Sequence, residues 1–256
     1  MLINPENLML LCIGFFVVAA LYSSVGFGGG SSYLALLTLF FASFFAIRSI
    51  ALVCNLVVVT TSTYIYFKHG HAKLKDFFPF ILTSIPLAYL GASFKLNEKV
   101  FFILLGISLI ISALALAWQT YTITSLKVKK YPSYFGYFIG GCIGLLSGLV
   151  GIGGGIFLSP ILNHFKWNIP IKIAALASFF ILVNSLSSLL GYFNSGTLAL
   201  PWKETLILMA VVFLGGQLGI RISLKKLTPN GIKRVTALLV LFVGLRVLLK
   251  NGLAIV

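Results

Sequence analysis

Eight long apolar runs, separated by short polar loops, dominate this sequence. They cover residues 8–40, 44–67, 77–95, 99–119, 134–165, 170–193, 204–223 and 233–249. A helix needs about 20 mainly apolar residues to cross the ~30 Å hydrocarbon core of a bilayer, and all eight runs approach or exceed that length. Only 9% of the residues are charged, whereas the surface of a soluble domain needs about a quarter. The sequence therefore predicts an all-α polytopic membrane protein.

The two halves of the chain resemble each other. Gly26–Gly30 lies 125 residues before Gly151–Gly155, and Tyr66 lies 126 residues before Tyr192. Duplicated halves are common in transporter folds and rare in membrane enzymes. The predicted organisation is a first transmembrane repeat over 1–120, a basic cytoplasmic linker over 121–133 and a second transmembrane repeat over 134–256.

The first segment of each repeat is too long for one crossing and is interrupted by glycines. It is either one broken helix that crosses the membrane or a re-entrant pair of half-helices. If all eight segments cross, the 19 Lys and Arg divide nine and ten between the two sides. If segments 8–40 and 134–165 are re-entrant, they divide thirteen and six. The second division obeys the positive-inside rule, so six crossings, inverted repeats and extracytoplasmic termini are favoured.

The charges exclude several classes of function. The 19 Lys and Arg, against 4 Asp and Glu, lie in short loops and form no continuous face for nucleic acid. The four carboxylates fall at segment ends or in loops: Glu6, Asp76, Glu98 and Glu204. A carboxylate proton relay and a carboxylate-bound metal are therefore not expected, and no cofactor or catalytic residue is predicted. The cysteines Cys12, Cys54 and Cys142 are interpreted as packing residues.

The glycine clusters are the main candidates for a binding site. Irregular backbone at membrane depth is tolerated only where protein or a water-filled cavity surrounds it. A helix that starts inside the membrane presents free N–H groups and the positive end of its dipole, which suit an anion. The alternative is that these glycines only allow helices to pack closely, as expected for the ridge of Gly136, Gly140, Gly144 and Gly148.

Polar residues inside the apolar runs complete the predicted site. Buried amides are costly, and Arg48 is the single charge between residues 7 and 67. Arg48 either binds an anion or reaches the membrane surface as the end of its segment. The predicted substrate-binding residues are Gly28, Gly29, Gly30, Ser31, Ser32, Arg48, Asn55, Gly153, Gly154, Gly155, Asn184 and Gln217.

Around its glycine clusters the chain resembles the sulfite exporter TauE/SafE (TSUP) family. The resemblance rests on Gly26–Gly30, on the run Gly148–Pro160 and on the duplicated layout, and it covers essentially the whole chain. Ala35 departs from the pattern, because the repeat would place a proline there, equivalent to Pro160. The resemblance implies movement of small sulfur-containing or organic anions, such as sulfite or sulfonates, across the bacterial inner membrane.

The predicted function is a secondary transporter for a small anion bound between the two glycine clusters. An anion channel using the same site is the first alternative, and a membrane-embedded enzyme is the second. The expected partners are the anion and the lipid bilayer, without nucleic acid. The sequence leaves open whether the chain is a monomer or a homodimer.

Overall fold

The computed structural model describes residues 5–24, 26–40, 43–121, 128–129, 131–223 and 229–253. This part of the chain contains helices and no β-strand. The helices are α1 (Pro5–Ser23), α2 (Gly30–Leu37), α3 (Phe44–Lys68), α4 (Leu74–Ser93), α5 (Glu98–Tyr121), α6 (Ser133–Val150), α7 (Gly155–His164), α8 (Pro170–Asn194), α9 (Trp202–Ser223) and α10 (Pro229–Arg246), followed by a π-helical turn (Val247–Gly252).

Seven of these helices, α1, α3, α4, α5, α6, α8 and α9, are long and apolar enough to cross a membrane. The prediction of an all-α multi-pass membrane protein is confirmed. The basic linker at 121–133 lies mostly outside the described residues, so the division into two repeats and a linker stays a prediction.

The two long segments each fold as a long helix followed by a short one. Helices α1 and α6 have 19 and 18 residues, whereas α2 and α7 have 8 and 10. At 1.5 Å per residue, the long members measure about 28 Å, close to the thickness of a bilayer core. Each of the two segments therefore consists of one helix long enough to cross a membrane and one short helix, separated by the glycine break.

The chain reverses direction at the first glycine break. Ser32, at the start of α2, bonds Tyr22, near the end of α1, through their hydroxyl oxygens at 2.7 Å. Further along α2, a methyl carbon of Leu36 lies 3.1 Å from the position of a β-carbon added to Gly14, in the middle of α1. Residues later in α2 thus contact residues earlier in α1, so α2 runs back antiparallel along α1.

The chain also reverses at the second break. Phe165, directly after α7, accepts a hydrogen bond of 2.8 Å at its carbonyl from the Tyr131 hydroxyl, just before α6. The backbone N–H of Lys129 donates to the carbonyl of Lys166 at 3.0 Å. Segment 134–165 therefore begins and ends at the same end of the bundle. We call this the linker end and define it by Lys129, Tyr131, Phe165 and Lys166.

The central helices α3 and α8 run antiparallel. Near the start of α3, Arg48 bonds the hydroxyl of Tyr192, near the end of α8, at 2.9 Å. Phe44 and Phe101 also face the Arg48 guanidinium, with ring centroids at 5.0 and 5.4 Å. We call this the arginine end and define it by Phe44, Arg48, Phe101 and Tyr192.

Close helix packing is the role of the glycine ridge on α6, as predicted. A β-carbon added to Gly144 would lie 2.6 Å from the Cα and carbonyl oxygen of Ser84, in α4. Gly140 and Gly148 face the backbone of Phe80 and Ala88 in the same way. Residues later in α6 contact residues later in α4, so the two helices run parallel with their backbones in contact.

Candidate functional site

The two glycine breaks meet in the interior of the bundle. Asn55, in the middle of α3, donates a hydrogen bond of 2.9 Å from its side-chain nitrogen to the carbonyl of Ile152 in the second break. A β-carbon added to Gly30, in the first break, would lie 3.0 Å from the same carbonyl oxygen. Asn55 is fully buried, so one amide joins both breaks at a point away from solvent.

A small cavity lies where the breaks meet. Its free volume of about 10 Å³ is enough for about one water molecule. The lining residues are Tyr22, Phe27, Gly28, Gly29, Gly30, Ser31, Asn55, Ile152, Ile156 and Ile181. Five of the predicted site residues therefore surround one cavity.

The start of α2 lines this cavity and carries donors without partners among the described residues. The first N–H groups of a helix have no partner inside the helix. In α2, Ser32 and Tyr33 bond back to the carbonyl of Gly29 at 3.0 Å. No backbone carbonyl of the described residues accepts a hydrogen bond from the backbone N–H group of Gly30 or Ser31. The Ser31 hydroxyl and the Asn55 carbonyl oxygen are likewise buried without a partner in this part of the chain.

Four buried polar atoms of the cavity-lining residues therefore have no hydrogen-bond partner among the described residues: the backbone nitrogens of Gly30 and Ser31, the Ser31 hydroxyl oxygen and the Asn55 side-chain oxygen. A buried polar group without a hydrogen bond costs about 1–3 kcal/mol. Unpaired buried groups are uncommon in native proteins, and a bound water, ion or ligand is one explanation for them.

The second break lies against the same asparagine. A β-carbon on Gly153 would lie 2.7 Å from the Asn55 side-chain nitrogen and 2.8 Å from the Ser185 hydroxyl oxygen. The Ser185 hydroxyl is buried and has no partner within the described ranges. Gly155 instead faces the apolar side chain of Ile181. The second break therefore contributes a mixed wall, polar at Gly153 and apolar at Gly155.

Among the break glycines with a positive φ angle, two lie directly before a helix. Gly29 and Gly154 precede α2 and α7 directly and adopt φ angles of 91° and 83°. This left-handed conformation is open to glycine and unfavourable for other residues by roughly 1–2 kcal/mol. Glycine at this position therefore favours an abrupt helix start inside the protein.

The two breaks have matching surroundings at their first glycine. A β-carbon on Gly26 would lie 3.1 Å from the hydroxyl oxygen of Tyr66, and one on Gly151 would lie 2.8 Å from that of Tyr192. The other neighbour of Gly26 is Ala174, whereas the other neighbour of Gly151 is Arg48. The spacing of 126 residues that separates Tyr66 from Tyr192 also separates Arg48 from Ala174. Arg48 and Ala174 thus occupy equivalent positions, and only the first half carries a charge there.

Arg48 is buried rather than placed at the membrane surface. Its side chain is 1% exposed, so the alternative of a residue that reaches the surface is wrong. Its Nε donates to the Tyr192 hydroxyl at 2.9 Å and its Nη2 donates to the carbonyl of Leu149 at 3.2 Å. The guanidinium carbon lies 4.2 Å from the centre of the Tyr192 ring. Arg48 does not line the cavity and lies beside the second break, toward the arginine end.

Three predicted residues form other contacts. Asn184 donates to the carbonyl of Phe180 in its own helix at 2.9 Å. Gln217, in α9, donates to the Thr61 hydroxyl at 3.3 Å. The structure therefore does not bring Asn184 and Gln217 to the cavity, and the hydroxyl of Ser32 faces Tyr22 instead.

Sequence reasoning missed several residues of the site. The apolar lining by Ile152, Ile156 and Ile181 has no signal in a chain rich in isoleucine. Tyr66 and Tyr192 are different, because the repeat that aligns the glycines also aligns these tyrosines. Their similar spacing from the breaks, 40 residues after Gly26 and 41 after Gly151, could have identified them as neighbours of the site.

The fold and site define a multi-pass helical membrane protein in which two glycine-broken segments meet at the centre, an organisation found in secondary transporters. The chain matches the model of the sulfite exporter TauE/SafE family over residues 10–247, and it belongs to this family. No solved structure matches the chain.

Two relatives agree with this assignment. The chain is similar to the probable membrane transporter protein y4hK of Sinorhizobium fredii, with 32% identity over 93% of this chain and 97% of the relative. It is also similar to the probable membrane transporter protein MJ0441 of Methanocaldococcus jannaschii, with 28% identity over 94% of this chain and 96% of the relative. The chain is therefore a membrane transporter.

Proposed function

We propose that this protein is a secondary transporter that binds one small anion where the two glycine breaks meet. The observation that carries the proposal is the group of unpaired donors at the start of α2, beside the unpaired Ser31 hydroxyl. Two backbone N–H groups and one hydroxyl can each donate to an oxyanion, and the positive end of the α2 dipole adds to the attraction. Membership of the TauE/SafE family favours sulfite or a sulfonate as the anion.

The Asn55 carbonyl oxygen narrows the choice of anion. It is an acceptor, and it is buried without a donor among the described residues. Since its amide nitrogen already donates to Ile152, the free oxygen is an unpaired acceptor of a cavity-lining residue, beside the three unpaired donors. An anion that keeps one hydrogen, such as hydrogen sulfite, satisfies all four groups. A fully deprotonated anion leaves the Asn55 oxygen unpaired.

The size of the cavity favours a carrier over a channel. Space for about one water molecule is too small for sulfite, which has four heavy atoms. The breaks must therefore separate to admit the anion, as they would in a protein that opens its site to one side at a time. The antiparallel course of α3 and α8 and the matched surroundings of Gly26 and Gly151 support an inverted repeat, which is the architecture that such movements use.

The charges at the two ends support an orientation. Among the basic residues whose side chains are described, the linker end collects Lys68, Lys73, Lys75, Lys129, Lys166, Lys172, Arg221 and Arg234, whereas the arginine end collects Arg48, Lys95, Lys99, Lys203, Arg246 and Lys250. By the positive-inside rule, the linker end faces the cytoplasm of a bacterial inner membrane. Export of an anion then gains roughly 2.3 kcal/mol per charge for each 100 mV of interior-negative potential.

Counterflow in proteoliposomes tests the function. Vesicles containing the purified protein are loaded with unlabelled sulfite and diluted into labelled sulfite. A carrier accumulates label transiently above its equilibrium level. A channel gives equilibration without accumulation, and recovery of a chemically altered product indicates an enzyme.

Replacement of Gly30 by alanine tests the site. Gly30 does not need a left-handed backbone, and its added methyl would enter the space between the Asn55 amide and the Ile152 carbonyl, at 2.9 and 3.0 Å. We expect sulfite affinity to fall at least tenfold. The control is Gly216→Ala, where the nearest atom is a Val58 methyl carbon at 3.4 Å, close to an ordinary contact distance. Equal affinity in both variants would contradict the placement of the site.

A further inference from the structure

Arg48 is a buried cation whose partners are all neutral. Within the described part of the chain, those partners are the Tyr192 hydroxyl, the Leu149 carbonyl and three aromatic rings. A guanidinium has five N–H groups, and the two hydrogen bonds use two of them. Burial of a charge without a counter-charge is strongly unfavourable, and cation–π contacts offset only part of that cost.

The position of Arg48 relates it to the central cavity. Arg48 and Asn55 are seven residues apart in α3, so they lie on the same face of the helix, about 10 Å apart along its axis. Asn55 faces Gly153, and the Cβ of Arg48 lies 3.8 Å from the position of a β-carbon added to Gly151. The two side chains therefore follow one another along the second break, with Arg48 on the side of the arginine end.

The equivalent position in the other half carries no charge. Ala174 occupies it, next to Gly26 and Tyr66. Both breaks contain a contact between a glycine and a tyrosine hydroxyl. If Arg48 served only to support that contact, an arginine would be expected in both halves. The guanidinium at one break alone indicates a role that the fold does not require.

We propose that Arg48 forms a second anion subsite, between the central cavity and the arginine end, which takes the same small oxyanion as the cavity. This inference rests on the proposed function. An oxyanion that moves from the central cavity to Arg48 supplies the counter-charge that the guanidinium lacks. It also accepts hydrogen bonds from the N–H groups that have no partner in the described part of the protein. The pathway toward the linker end has Ala174 in place of this charge, so the two directions differ in their affinity for an anion.

A structural role makes a different prediction. The Leu149 carbonyl belongs to the last turn of α6, and arginine side chains can stabilise such helix ends. In that case removal of Arg48 lowers the melting temperature and leaves anion binding unchanged. The two roles are separated by counting bound anions.

Equilibrium dialysis of labelled sulfite against the full-length protein in detergent micelles gives that count. We expect two saturable equivalents per chain for the wild-type protein and one for Arg48→Gln. Arg48→Lys retains the charge and is expected to keep the second equivalent with weaker affinity. The control Arg246→Gln removes one exposed positive charge from the arginine end and is expected to keep both equivalents.

Tyr192→Phe provides a second measurement that does not require loss of the arginine. It removes the hydroxyl acceptor and keeps the ring, so one more N–H is free for the anion. Since a hydrogen bond contributes about 0.5–1.5 kcal/mol, we expect the second equivalent to bind roughly two- to tenfold more tightly.

The outcomes distinguish this inference from the proposed function. One equivalent in the wild-type protein, removed by Gly30→Ala and retained in Arg48→Gln, overturns the second subsite and leaves the central site intact. Two equivalents in Arg48→Gln, with only a lower melting temperature, assign Arg48 to the α6 terminus. If Gly30→Ala weakens the binding of none of the bound sulfite ions, the central site itself is contradicted.

Discussion

Replacement of Gly144 by alanine should separate α4 from α6. The added methyl would lie 2.6 Å from the Cα and carbonyl oxygen of Ser84, whereas favourable contacts of carbon atoms lie at about 3.5–4.0 Å. The helices must therefore move apart locally by about 1 Å, because Cα and the carbonyl belong to the backbone and cannot rotate away. Overpacking of this kind costs about 1–3 kcal/mol.

Gly141 provides a matched control on the same helix. Its added methyl would meet Leu87 Cδ1 at 3.0 Å, the flexible end of a side chain, and next Thr83 Cβ at 3.6 Å. Both substitutions gain the same helix propensity, up to about 1 kcal/mol, so this gain cancels when the two variants are compared. We expect Gly144→Ala to be less stable than Gly141→Ala by about 1–3 kcal/mol.

Thermal unfolding in detergent, followed by tryptophan fluorescence, measures this difference. A domain of this size shifts by roughly 2–4 °C for each kcal/mol, so Gly144→Ala should melt about 2–12 °C below Gly141→Ala. If Gly144→Ala melts at the same temperature or higher, the helices are not held in contact by their backbones, and the packing argument is refuted.

Three further predictions concern the breaks and the orientation. Gly154→Ala should lose about 1–2 kcal/mol of stability from its φ of 83° alone, seen as a lower melting temperature even without anion; an unchanged value would mean that α7 can start without a left-handed residue. Asn55→Ala leaves the Ile152 carbonyl unpaired and should cost about 1–3 kcal/mol, together with a loss of preference for hydrogen sulfite over sulfite in binding assays at different pH; retention of that preference would exclude Asn55 as the acceptor. In a cysteine-free protein, Lys129→Cys should react with an impermeant thiol reagent only after permeabilisation of cells; labelling of intact cells would reverse the orientation.

Much of the fold could be predicted from the sequence because the bilayer imposes a simple constraint. Each of the eight apolar runs corresponds to a helix or a pair of helices, since a spanning segment must satisfy its backbone groups internally. The breaks could also be recognised in the sequence, because Gly29 and Gly154 adopt a left-handed conformation that few other residues tolerate. The reversal of the chain at each break has no local pattern of its own, and it was predicted only from the distribution of Lys and Arg between the loops.

The site was harder to predict because burial of polar residues is decided by tertiary packing. Asn55 and Asn184 have the same side chain and both lie in apolar helices, yet one joins the two breaks and the other bonds its own helix. Arg48 lies one turn from the start of α3 and looks from the sequence like a residue at the membrane surface. Its burial follows from Tyr192, which is 144 residues away.

The two halves share their backbone plan and differ in their chemistry. Asn55 faces the first break where Ile181, at the equivalent position, faces the second. The spacing of 125 residues that aligns the glycines also pairs Ser31, which opens α2, with Ile156 in α7.

At these compared positions the polar group always comes from the first repeat and the apolar group from the second. A symmetric pair of anion sites would need polar groups from both repeats. One central anion fits better, held mainly by α2 and α3 against a wall from α7 and α8 that is apolar at Ile156 and Ile181 and polar at Ser185. The second repeat then contributes chiefly the surface that must move away when the site opens. Motion of α7 and α8 relative to α2 and α3 would expose the anion without breaking the hydrogen bonds inside the first repeat.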